Sequence, residues 1–173
     1  MQPRRRLHAF WPLFVLVMLL PATPRGEVPA PLAPLQFLLG QWEGVGDQAG
    51  ATGGFSFAPG LQDRVILRTN YSNTPANGTT PASRHDDLMV IHVDADVVKA
   101  DYFDSEGHTI HYVANARPGE VVFLSEIAAS APTYRLTYTR GPAATLIGKF
   151  EVAPPGRPDA FAPYLSWTAR KAR

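Results

Sequence analysis

The chain has 173 residues, carries 16 Lys and Arg against 15 Asp and Glu, and contains no cysteine. That last fact excludes a disulfide framework, a lipidated cysteine behind a leader and a thiol nucleophile. Four arginines and no acid fall within residues 1–26, so the remainder has 12 basic against 15 acidic side chains, a formal charge of −3, and lacks the Lys/Arg cluster that a nucleic acid partner requires.

Arg4, Arg5 and Arg6 run into the 12-residue apolar stretch from Ala9 to Leu20, and Pro21 and Pro24 follow. This order is that of a signal peptide, read as residues 1–26 with cleavage between 22 and 33. The consecutive arginines fit twin-arginine export loosely, because Leu7 and His8 follow them. A spanning helix needs about 18–20 apolar residues, more than this run offers, so no permanent membrane anchor is expected. The product is expected to be exported, periplasmic or extracellular. Residues 27–34 read as a Pro/Ala linker, and 35–173 as one domain large enough for a core and a pocket.

Leu35 to Leu39 suits a short helical turn, after which the helical period disappears. Short β-branched and aromatic runs follow, over 41–45, 53–57, 64–71, 87–93, 97–104, 108–114, 120–126, 133–139, 145–152 and 164–171. The pattern predicts an all-β fold, a closed antiparallel meander barrel of eight to ten strands behind a short helical turn. Asp94-Ala95-Asp96 and Ser105-Glu106-Gly107 read as tight turns between antiparallel neighbours. Residues 72–86 read as a long loop, and Asn-x-Ser/Thr triplets begin at Asn70 and Asn77. Three prolines between Ala153 and Pro158 make that segment a crossing loop before the closing strand.

Pairing strands through those turns puts Met89, Ile91, Val93, Asp101, Phe103, His108, Ile110 and Tyr112 on one face, taken as the interior. A barrel lining that mixes large apolar groups with Asp, His and Tyr suggests a cavity for a small-molecule ligand. The candidate ligand-binding residues are Trp42, Met89, Asp101, Phe103, His108 and Tyr112. The alternative reading is an enzyme using Asp101 and His108 as base and partner beside Tyr112. No G-x-S-x-G elbow, H-E-x-x-H or phosphate-binding glycine loop is present, so no reaction or catalytic residue is assigned.

The run Gly40-Gln41-Trp42-Glu43-Gly44-Val45-Gly46 reads G-x-W-x-G-x-G. It resembles the calycin superfamily, in which lipocalins and fatty-acid-binding proteins share G-x-W, and the longer form is similar to the nitrobindin-like branch. The resemblance implies a closed barrel around a cavity, with Gly40, Trp42 and Gly44 structural. It also implies a basic residue of the last strand packed over Trp42, matched here to Arg170 with Lys171 as the second choice. Nitrobindin-like proteins hold haem through a histidine late in the barrel, whereas the last histidine here is His111. No cofactor is therefore predicted, and His108 or His111 would be the axial candidates if haem bound. His85, Asp86, Asp87, Asp101, Asp104, Glu106, His108 and His111 form the densest polar group, yet no metal site is expected. Residues three apart on a strand face opposite ways, and 104–107 read as a turn.

Overall fold

The computed structural model describes residues 29–45 and 50–172; the leader read over 1–26 and the motif glycine Gly46 lie outside the described residues. The chain opens with a 3-10 helix, Ala30–Leu38, so the turn read over 35–39 starts earlier, inside the Pro/Ala segment. Its leucines recur every third residue, the interval at which a 3-10 helix stacks side chains on one face. Leu32, Leu35 and Leu38 are all fully buried.

Ten strands follow: β1 (Gly40–Val45), β2 (Thr52–Gly60), β3 (Val65–Thr74), β4 (Ser83–Asp94), β5 (Val97–Asp104), β6 (Thr109–Arg117), β7 (Glu120–Ser125), β8 (Thr133–Arg140), β9 (Thr145–Ala153) and β10 (Ala162–Lys171). Each pairs antiparallel with the next, and β10 returns to β1, closing the barrel. The expected all-β closed meander is therefore the fold. β3 and β4 run further than anticipated and shorten the 72–86 loop to 75–82, where Asn77 and Thr80 bridge.

The helix packs across one end, against β4 to β7, and makes that end closed. Gly40 leaves it with a φ of 126°, a conformation open to glycine and little else. Trp42 then enters the barrel and donates from Nε1 to the Leu38 carbonyl at 2.7 Å, tying β1 to the helix. Phe55 stacks on Trp42 at 6.4 Å, and Phe55, Phe57 and Tyr138 meet one another at centroid separations of 5.4–6.0 Å, with Trp167 edge-on to Tyr138 at 5.8 Å. The Trp167 ring lies over Gly148, its cross-strand partner, where a Cβ would sit 2.1 Å from Cε2. Glycine at 148 is thus what lets β9 and β10 pair around that indole.

Register decides which side chains face inward, and it corrects the expected interior face. Asp94 pairs directly with Val97, so the β4–β5 turn is only Ala95 and Asp96, with φ of 47° and 66°. Two positive φ values form the two-residue hairpin turn whose twist suits flanking strands. Met89, Ile91 and Val93 consequently share the inside with Tyr102, Ala100 and Val98. Tyr102 pairs with Ile110 and Ala100 with Tyr112, so a second one-residue shift returns β6 to the expected parity. Asp101 and Phe103 are left on the outer face, and His108 stands in the exposed turn before β6. The basic residue over Trp42 is Lys171, its cross-strand partner, with Nζ 5.5 Å from the ring centroid. Arg170, the expected match, points outward to Glu43 at 3.5 Å.

On the outer wall Glu151 is nearly covered, receiving Arg135 Nε at 2.7 Å and Lys149 Nζ at 2.6 Å. The hydrogen bond from Arg135, aided by that from Lys149 and opposed by burial, holds its carboxyl down at about 2 against an ordinary 4.5. A carboxyl pKa lowered on folding stabilises the fold above the unfolded value, and that contribution fades as pH falls toward the folded value. Glu151→Gln is expected to melt several degrees below the unaltered protein at pH 7, the gap closing between about pH 4.5 and 2. Melting curves across that range check it, and a gap independent of pH would contradict it.

Candidate functional site

Inward-facing residues are fully buried in the closed half but only half-buried toward the other end: Asn70, His85, Tyr102, Ile110, Tyr134 and Phe150. Leu165, on the inward parity of β10, is 46% exposed. The barrel therefore has a solid core below and, above it, a mouth end whose inward side chains are partly reached by solvent. Two unlike walls line this mouth. One side, β3 to β5, is polar; β8 to β10, across the ring of strands, is apolar.

The polar wall is built on Arg68 and Asp87, both buried, whose Nη1 and Oδ1 form a hydrogen-bonded ion pair. Asn70 Nδ2 donates to Asp87 Oδ2 at 2.8 Å, and His85 Nε2 lies 3.3 Å from the same oxygen. Burial works against the Arg68 charge, but Tyr138 and Asp87 beside it leave its pKa raised. Asp87 pairs across the sheet with Asp104, whose side chain is also buried. Asp104 Oδ1 accepts the backbone N–H groups of Glu106 at 3.0 Å and His108 at 2.9 Å. Burial would push this carboxyl up, yet the His108 backbone and ring hydrogen bonds bring it below its ordinary value. Tyr102 Oη lies 3.4 Å from both Asp104 Oδ2 and His85 Nε2, and burial pushes its phenol well up, keeping it protonated. His85 Nδ1 reaches out of the barrel to Glu106 Oε2 at 2.7 Å.

Across the mouth Tyr134 stacks on Phe150 at 5.8 Å, and Tyr164 meets Phe150 edge-on at 5.9 Å. Arg68 Nε and Tyr138 Oη, between mouth and core, are buried without a hydrogen-bond partner. An unpaired buried polar atom costs about 1–3 kcal/mol.

Of the residues singled out from sequence, Trp42, Met89 and Tyr112 lie inside the barrel, in the buried core beneath the mouth. Gly40 and Gly44 belong to β1, Gly44 pairing with Ala169. The structure does not bring Asp101, Phe103 and His108 into this interior. Asp101 holds His111 Nδ1 at 2.6 Å and His92 Nε2 at 3.3 Å on the outside, and the His111 hydrogen bond lowers its pKa. His108 Nδ1 contacts Asp104 Oδ2 at 2.9 Å. The expected Asp101–His108 pair is therefore two separate pairs, Asp101–His111 and Asp104–His108. Neither His108 nor His111 faces the interior; the inward histidine of the mouth is His85. Sequence reading noticed His85, Asp87 and Asp104 but not that they converge, because their meeting depends on the two-residue turn at Ala95-Asp96.

A scan against protein-family models finds no match, and a search of curated proteins finds no significant relative.

Tyr138→Phe removes a buried hydroxyl that lies beside the Arg68 charge without a hydrogen bond of ordinary geometry, so it is expected to shift the unfolding free energy by less than about 1 kcal/mol. Chemical denaturation measures this. A loss of more than about 1 kcal/mol would mean that the hydroxyl is bonded after all.

Proposed function

We propose that the protein binds a small, partly apolar molecule in the barrel mouth. The carrying observation is that the half-buried inward side chains of the mouth end divide into an aromatic group, Tyr134 and Phe150, and a polar group, Asn70, His85, Tyr102 and Asp104. Such a lining suits a ligand whose body stacks on the rings while a few polar contacts fix its orientation. With Asp87 paired to Arg68, Asp104 is the carboxylate left on the polar wall, which favours a neutral or positively charged polar end.

The closed ten-strand meander and the Gly40-Gln41-Trp42 opening support a calycin-like binding protein. We extend the reading to an exported protein, periplasmic or extracellular, on the strength of the arginine-led apolar run at residues 4–20. The enzymatic alternative gains no support, since the two residues it needed face different surroundings.

The probe that tests the site is 1-N-phenylnaphthylamine, neutral, aromatic and able to donate one hydrogen bond. Its fluorescence is expected to rise saturably on titration, and Tyr134→Ala or Phe150→Ala to weaken binding at least tenfold. Phe103→Ala, on the outer wall, leaves it unchanged. No saturable rise, or equal binding by the Phe150 variant, would overturn the proposal.

A further inference from the structure

The rim of the mouth holds a second, smaller arrangement that binding of an apolar molecule does not explain. One ligating atom each from His85, Asp104 and Glu106 lies within 4.8 Å of the others. These residues come from the end of β4 that opens the mouth, from the last position of β5 and from the turn after it. We propose that they bind one borderline divalent cation of the zinc type.

Donor chemistry supports that class. One imidazole nitrogen with two carboxylate oxygens suits zinc and its neighbours, whereas magnesium and calcium prefer oxygen alone. Charge supports it as well: among the described residues, the ion-pair partners of Asp104 and Glu106 are histidines, with no Lys or Arg opposite either.

The surroundings are arranged as ligands to a metal are normally held. A ligating histidine donates its other ring N–H to a carboxylate, which fixes its tautomer and its angle. His85 presents Nδ1 to the rim, toward Glu106, and Nε2 inward to Asp87 at 3.3 Å. Asp87 is itself anchored by Arg68 and Asn70. Asp104 is oriented too: the turn backbone occupies Oδ1 and leaves Oδ2 toward the cluster, where Tyr102 and His108 also reach it. The half-exposed Glu106 leaves the solvent side open for water or for a ligand atom.

The site shares His85 and Asp104 with the polar wall of the small-molecule reading but does not depend on that ligand, and metal titration tests it alone. Untagged full-length protein, freed of metal, is titrated with zinc chloride by calorimetry at pH 7, and with cobalt(II) by visible absorption. We expect one zinc per chain, and binding at least tenfold weaker in both His85→Ala and Glu106→Gln. Glu106 lies in an exposed turn, so its variant tests the site even if loss of His85 disturbs the fold. His111→Ala, which disrupts the outer Asp101 cluster, is expected to bind zinc as the unaltered protein does. Absence of zinc binding, full-strength binding by either site variant, or loss of binding in the His111 variant would overturn the assignment.

Discussion

The Arg68–Asp87 ion pair sits where the barrel changes character, and the arrangement above and below depends on it. Taking two charges out of water is costly, and their mutual attraction recovers the cost only when the remaining donors and acceptors are satisfied. Here Asn70 and His85 complete the Asp87 carboxylate, while Arg68, its Nε left without a partner, lies beside Tyr138 and over Phe55. Below the pair the barrel is filled by Trp42, Phe57, Ile91 and the leucines of the 3-10 helix. Above it the inward positions turn polar on one side and stay aromatic on the other. A dry barrel would be simpler to stabilise with apolar residues at 68 and 87. A charge pair there makes sense as the foundation of a polar wall, because through Asp87 it orients Asn70 and His85.

Much of the fold was legible from alternation and turn chemistry. The runs at 97–104 and 145–152 predicted strands close to those observed, since β-branched and aromatic residues alternate there with polar ones. The helix was legible only in part. Its period is three, and prolines at 31 and 34 masked it as a linker, although leucines at 32, 35 and 38 carry the signal. Which face is inside was the harder question. Nothing in Ala95-Asp96 announces positive φ as Asn-Gly would, so a three-residue turn looked equally good, and one residue of register exchanged Asp101 for Tyr102 in the interior. The same step hid the candidate site, since His85, Asp87 and Asp104 converge only when Asp87 stands opposite Asp104. For the basic residue over Trp42, parity alone separates Lys171 from Arg170.

The two proposals use the mouth differently. A small molecule would lie between Tyr102 and the Tyr134–Phe150 stack, inside the wall. A cation would sit at the rim, held by groups whose orientation comes from within. Their common element is Asp87, which braces Asn70 and His85 at once. Outside, the Asp101–His111 and Glu151–Arg135 pairs belong to the surface of the barrel and leave the mouth untouched.

The most direct measurement is a double-mutant cycle on the buried pair by equilibrium chemical denaturation. Arg68→Met alone is expected to cost about 3–5 kcal/mol by stranding the Asp87 charge, and adding Asp87→Leu to recover most of that loss. If the Arg68→Met protein unfolds at the same denaturant concentration as the unaltered one, the pair does not support the interior and the account fails.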